Sequence, residues 1–282
     1  MSARLRAFLA LIAAVVLGLG LTACGSDDDK DSSSGTADAS KPLVVGASPV
    51  PHAEILEYVK KDLAPKAGLQ LEIKTYDDYI QPNVALQEGK LDANYFQTVP
   101  YLDAQKKDNP SYSDLVSLQP VHLEPLGIYS KKIKDIAAVP NGASVTLSND
   151  PANEARGLKL LQQAGLITLK ADAPDNATPR DIETNAKKLK FTTIAPANLP
   201  RTLDDTDLSV INGNYAIEAK LTPAKDALVL EKADGNPNAN LVVVKDENRN
   251  DPRVVKLEQL LHSPEVRTFI EDKYQGSVIP SF

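Results

Sequence analysis

Between residues 43 and 211, short apolar runs of strand length take turns with segments whose apolar residues fall three and four apart. No other feature constrains the fold as much. Strands separated by helices pair in parallel through right-handed crossovers. Residues 43–47 read as a strand, and Pro51 opens a helix that carries Ile55, Leu56, Val59 and Leu63. Leu69, Leu71 and Ile73 alternate with polar residues, so a strand returns. Pro82 starts a helix that ends near Gly89, residues 93–96 are extended, and Pro100 begins another helix. A second unit repeats the theme: a strand at 144–147, a helix at 153–164 closed by Gly165, a strand at 189–194, a helical stretch at 199–204 and a strand at 208–211. Helices follow Pro252 and Pro264.

Two further extended runs, LGIYSKK at 126–132 and NLVVVK at 240–245, lie between the units. The expected fold is therefore α/β, with two lobes joined by two extended crossings and a ligand cleft between them. Lobe 1 takes residues 42–125 plus 240–282, and lobe 2 takes 126–239. In open α/β sheets ligands bind beyond the carboxyl ends of the strands. The loops at 48–52, 76–81, 97–100, 148–153, 195–198 and 212–215 should thus face the cleft.

The first residues read differently. Arg4 and Arg6 precede an uncharged apolar run at 7–21, shorter than the roughly 20 residues that span a bilayer. Residues 1–23 read as a signal peptide ending in Leu-Thr-Ala before Cys24, the chain's single cysteine. Small residues before such a cysteine suggest acylation of its thiol and anchoring on the extracytoplasmic face of the cell membrane. Cleavage before Cys24 removes both arginines and takes the formal charge from −7 to −9. An acidic surface argues against nucleic acid. Residues 24–41 hold no large apolar side chain and read as a disordered tether.

Aromatics are scarce, at 5% of the chain with no Trp, yet they gather near the strand-end loops. Tyr79, Phe96, Tyr101 and Tyr215 lie there, together with Asn149, Asn153, Arg156, Asn198, Asn212 and Asn214. An apolar wall with a few polar groups suits a small amphipathic ligand. Arg grips a carboxylate with two parallel hydrogen bonds, and Asn both accepts from ammonium and donates to carboxylate. The set fits an amino-acid zwitterion. His52, His122 and His262 lack the paired spacing of a strong metal site; His52 sits in a predicted cleft loop, and the other two read as structural or exposed. No G-x-S-x-G, H-E-x-x-H or phosphate-binding glycine loop occurs, and the Asp pairs at 77–78 and 204–205 read as turn and cap residues, so an enzyme is not expected.

The segments KLDANYFQTVPYLD, PLGIYSKKI, SNDPANEAR, NLPRTLDD, INGNYA and LTPAKDAL resemble, in order, the methionine-binding lipoproteins of ABC importers, the NlpA/MetQ type. The resemblance implies a periplasmic-binding-protein type II fold that captures L-methionine, or a methionine-containing dipeptide. It also implies delivery to an importer's permease and ATPase, with no cofactor and no bound metal, by a monomer. Carried over by position, it places Tyr79, Phe96 and Tyr101 on the side-chain wall. Arg156 falls on the carboxylate site, and Asn153, Asn212 and Asn214 fall on the ligand's backbone groups. The family commonly has His where this chain has Thr98, which bears on side-chain preference. Two other classes stand beside this reading: a zinc-binding lipoprotein and a surface adhesin without a small ligand.

Overall fold

The computed structural model describes residues 40–282. The signal peptide at 1–23, Cys24 and the tether through residue 39 lie outside the described residues. Among those described, no helix is long and apolar enough to cross a membrane.

In chain order the strands are β1 (Leu43–Ala47), β2 (Leu71–Thr75), β3 (Ala93–Thr98), β4 (Leu115–Leu123), β5 (Gly127–Tyr129), β6 (Ser144–Ser148), β7 (Thr168–Leu169), β8 (Ile182–Thr184), β9 (Lys190–Ile194), β10 (Leu208–Ile211), β11 (Val229–Leu230), β12 (Ala239–Lys245) and β13 (Ile279–Pro280). The α-helices are α1 (Glu54–Tyr58), α2 (Gln81–Gln87), α3 (Val99–Asp108), α4 (Pro151–Gln163), α5 (Gly213–Glu218), α6 (Pro223–Asp226), α7 (Pro252–Leu261) and α8 (Pro264–Tyr274). One sheet runs β13-β4-β12-β3-β1-β2, and a second runs β11-β5-β10-β6-β9. The chain leaves the first sheet after Leu123, enters the second at Gly127, and returns between Leu230 and Ala239.

The sheets are mixed, which corrects the expectation of purely parallel pairing. Strands β1, β2 and β3 pair in parallel, as do β6, β9 and β10. Strands β12, β4 and β13 add antiparallel to the first sheet, and β5 and β11 to the second. The sequence expectation has no strand at β4. Pro120 interrupts its pattern, and its register with β12 shifts in two places. A proline removes one ladder donor and belongs at such irregularities.

Period-two alternation gives each central strand two buried faces. Leu43, Val45 and Ala47 of β1 join a core with Val242 and Val244 of β12 and with Leu56, Leu257 and Ile270 from α1, α7 and α8. Leu241 and Val243 face the other way, toward Leu86 of α2 and Leu102 of α3. The second sheet has its own core, where Val145 and Leu147 of β6 meet Leu158 and Leu161 of α4. Helix α4 begins on Asp150, whose carboxylate accepts from the Asn153 amide at 2.9 Å, with Pro151 in its first turn. Past its end, Gly165 takes a φ of +72°, a left-handed conformation that favours glycine.

Leu158 is fully buried against β6. Leu158→Ala should lower unfolding free energy by about 2–5 kcal/mol, read from a urea titration at unchanged m-value. A loss below about 1 kcal/mol would show that α4 does not anchor the second core.

Candidate functional site

Strand ends deliver one cavity. The loop after β2 brings Tyr79 to its wall, the end of β3 brings Phe96 and Thr98, the helices that follow β3, β6 and β10 bring Tyr101, Asn153, Arg156 and Asn214, and Asn212 comes from the turn after β10. Gln97, Glu124, Gly213 and Asn240 complete the lining, and the empty space is about 360 Å³, counted out to where it meets solvent. Two expected loop residues are not in the wall: Asn149 and Asn198 are exposed. Asn149 extends the ladder with β9, and residue 198 lies in a 3-10 helix at Pro196–Asp204 that packs on β10 instead.

The aromatic wall is a cluster. Ring centroids of Tyr79 lie 6.0 Å from Phe96 and 5.8 Å from Tyr101, and Phe96 and Tyr101 are also 5.8 Å apart. Such tilted and edge-on packing is the preferred geometry for rings. Tyr215 does not line the cavity but lies behind Tyr79, at 5.0 Å. Each hydroxyl is tied: Tyr101 to the Tyr79 carbonyl at 2.8 Å, Tyr79 to Asn214 Oδ1 at 2.5 Å, and Tyr215 to the Asp77 carbonyl at 3.0 Å. The last two bonds join the loop after β2 in the first sheet to the loop after β10 in the second. Thr98 has a structural duty besides lining the cavity, since its hydroxyl caps α3 by accepting from the Tyr101 amide at 3.4 Å.

The polar side is partly self-satisfied. Asn153 Nδ2 donates to both oxygens of Asp150 at 3.0 Å, and its Oδ1 accepts from Asn212 Nδ2 at 2.8 Å. Among the described residues that line the cavity, two buried atoms have no hydrogen-bond partner: Asn212 Oδ1, an acceptor, and Asn214 Nδ2, a donor. Arg156 is also largely engaged. Its Nε and Nη2 form a two-pronged pair with Glu231, at 3.0 and 2.5 Å, and Nη2 reaches the Glu124 carbonyl at 2.9 Å. Burial pushes the Glu231 carboxyl up, yet Arg156 beside it holds it below the usual range. The two-pronged contact expected for a ligand thus serves an internal carboxylate, and only Nη1 makes no hydrogen bond to a described residue. Arg156 and Glu231 also border an outer groove between α3 and α4, whose empty space counted the same way is about 1750 Å³. Arg201 is exposed on the 3-10 helix and does not reach the cavity.

Behind the cavity lies a buried polar trio that sequence reasoning divided. Glu124 Oε1 is 2.8 Å from His122 Nε2 and 3.3 Å from His52 Nε2. His122 Nδ1 is bonded by the Tyr95 hydroxyl, and His52 Nε2 is 3.0 Å from Asn240 Oδ1. His122, read as structural or exposed, is fully buried on β4 behind the cavity wall. His262 does stand apart, bonded to the carbonyls of Glu258 and Pro120 at the end of α7. The trio offers three ligand atoms within 4.8 Å of one another, the one place among the described residues where a metal could be held. Burial pushes the His52 ring down to about 4, against the pull of Glu124, and pushes His122 down to about 3.

The fold and cavity define the chain as a periplasmic-binding-protein type II α/β protein, the architecture of extracytoplasmic substrate-binding proteins. It belongs to the NlpA lipoprotein family, whose model matches residues 43–282. It is similar to a Bacillus subtilis protein named methionine-binding lipoprotein MetQ, 40% identical over 277 residues and 97% of each chain. A nutrient-binding protein from Burkholderia cenocepacia, solved bound to methionine, superposes with a TM-score of 0.82 at 44% identity, covering 85% of this chain and 100% of that one. An ABC-transporter periplasmic substrate-binding protein from Coxiella burnetii matches with a TM-score of 0.81 at 41% identity, covering 85% and 100%.

Two histidines neutral in the fold and titratable in the unfolded chain give stability a pH signature. As pH falls below about 6.5, the unfolded chain binds protons that the folded chain refuses until about pH 4, so stability is lost on acidification. Glu124, raised by burial, works the other way and trims the loss. Unfolding free energy should drop by about 2–4 kcal/mol between pH 7 and pH 5. His122→Gln should remove roughly half of that slope; an unchanged slope would mean that the histidines are not buried neutral.

Proposed function

We propose that the protein is the substrate-binding lipoprotein of an ABC importer and captures a free amino acid, L-methionine first, or a methionine-containing dipeptide. The observation that carries this reading is the pair of unsatisfied atoms in the cavity wall, one acceptor and one donor, facing an aromatic cluster. A buried polar group without a partner costs free energy, and a ligand that supplies the partner recovers it. An α-amino acid supplies both, since its ammonium donates to Asn212 Oδ1 and its carboxylate accepts from Asn214 Nδ2. Arg156 Nη1 is the second carboxylate donor. Tyr79, Phe96 and Tyr101 take an unbranched apolar or thioether side chain, to which sulfur–aromatic contact adds a little. Thr98 borders that chain, and Asn153 orients Asn212.

In this reading residues 42–125 with 240–282 and residues 126–239 are two lobes that close around the ligand, by small changes at the two crossings. The protein works as a monomer that passes its ligand to the permease and ATPase, without catalysis or cofactor. The names of its relatives support that role. The trio at His52, His122 and Glu124 supports zinc as a second reading.

Calorimetry of the purified protein with the twenty amino acids and zinc separates the two. Heat of binding is expected for methionine; zinc binding with no amino-acid response would overturn the assignment. Arg156→Ala should weaken methionine binding by about 30-fold to several thousandfold, since it unpairs a buried carboxylate. Affinity within about threefold of the parent, with the fold intact, would remove Arg156 from the carboxylate site.

The anchor is proposed on Cys24, through acyl chains that hold the protein at the extracytoplasmic face of the cell membrane. Cys24→Ser should abolish incorporation of labelled palmitate. Retained label would place the acyl chains elsewhere.

A further inference from the structure

Glu124 is a buried carboxylate in the cavity wall, 5% exposed, and among the described residues no Lys or Arg hydrogen-bonds its side chain. Its Oε1 takes the His122 and His52 donors. Each ring has an acceptor or this carboxylate at Nε2, and the Tyr95 hydroxyl serves His122 Nδ1. Both rings therefore present Nε2–H as neutral donors. The nearby cation, Arg156, is held in a two-pronged pair by Glu231 and meets residue 124 only at its main-chain carbonyl. One guanidinium thus stands near two carboxylates, and burial raises the Glu124 carboxyl against the opposing pull of His52, Arg156 and the Asn214 amide. A carboxylate held out of water is stable only with a counter-ion or strong donors.

The second carboxylate oxygen lies against Gly213. A Cβ built on Gly213 would stand 2.7 Å from Glu124 Cβ and 3.1 Å from its Oε2, so the absence of a side chain at 213 leaves room beside that oxygen, and the Asn214 amide also reaches the carboxylate. Gly213 itself lines the cavity between Asn212 and Asn214. Asn212 Oδ1, the unsatisfied acceptor, is thus the immediate sequence neighbour of the residue against Glu124 Oε2.

We propose that Glu124 is the counter-ion of the ligand's α-ammonium, and that this pairing selects free α-amino acids over deaminated or N-acylated ones. The inference rests on the amino-acid reading above and names the residue that reads the amino group. His122 and His52 are positioning residues that aim Glu124 without neutralising it. Glu231 occupies Arg156, so that the guanidinium acts on the Glu124 carboxylate only through space. The ligand then brings the missing positive charge on the same molecule as the carboxylate.

The test is a cycle of two proteins and two ligands, read by calorimetry. L-Methionine carries the ammonium; 4-(methylthio)butanoate has the same carboxylate and thioether without it. The wild-type protein should favour L-methionine by about 30-fold or more. Glu124→Gln is isosteric and leaves the histidine donors an acceptor. It should lose about 30-fold or more for L-methionine while binding the deaminated acid within about threefold of wild type. Equal losses for both ligands would make Glu124 a structural residue, and L-methionine affinity unchanged in Glu124→Gln would remove it from the site; either result overturns the proposal. If Glu124→Gln does not fold, the wild-type preference still decides, because equal affinity for the two ligands excludes an ammonium counter-ion. Failure of the amino-acid reading itself appears separately, as no binding of any amino acid to the wild-type protein, and takes this inference with it.

Discussion

The ion pair between Arg156 and Glu231 sets the geometry on which the cavity depends. It joins residues 75 positions apart, both mostly buried, with side-chain exposures of 10% and 14%. Glu231 also accepts from the Leu126 amide at 3.1 Å, its own amide donates to the Leu126 carbonyl at 2.8 Å, and Arg156 holds the Glu124 carbonyl. Helix α4, the segment after β11 and the outgoing crossing at 124–126 are thereby fixed to one another. Removing one member of such a buried pair leaves an uncompensated charge and costs about 3–5 kcal/mol. The crossing that carries Glu124 into the cavity is thus held by charge-assisted hydrogen bonds as well as by packing.

The pair also governs the electrostatics of the site. With Arg156 committed to Glu231, the carboxylate of Glu124 is hydrogen-bonded by neutral donors, and Asn214 Nδ2 and Asn212 Oδ1 keep no hydrogen-bond partner among the described residues. Packing complements this arrangement. The aromatic cluster closes one side, and the hydrogen bonds from Tyr79 and Tyr215 tie the loops of the two sheets across it. Burial is what gives the polar groups their leverage, because the same contacts in open water would be worth far less.

Much of this was legible in the sequence because it is local. Strands β1, β6 and β10, helix α4 and the two C-terminal helices follow from apolar spacing and from Pro and Gly punctuation. The strand-end rule brought seven of the ten residues it singled out to one cavity, missing on Tyr215, Asn149 and Asn198, since a parallel strand fixes where its following loop emerges. What was not legible is non-local. Strand β4 is broken by Pro120 and shifts in its antiparallel register with β12, a partner more than a hundred residues away. Glu124 and Asn240 enter the cavity from the crossings rather than from strand-end loops, and Gly213 matters only because a carboxylate from residue 124 lies on it. The occupation of Arg156 by Glu231 has no local signature. The one available hint was a lone charge, Glu124, between the apolar residues of the crossing.

The central claim is that the cavity's polar groups are arranged for the two charges of one amino acid. A crystal structure of the protein with L-methionine tests it most directly. The account predicts the ligand's ammonium at Glu124 and Asn212 Oδ1, its carboxylate at Asn214 Nδ2 and Arg156 Nη1, and its thioether among Tyr79, Phe96 and Tyr101. A ligand bound in the reverse sense, with its carboxylate toward Glu124, or one lodged only in the outer groove beside Glu231, would contradict it.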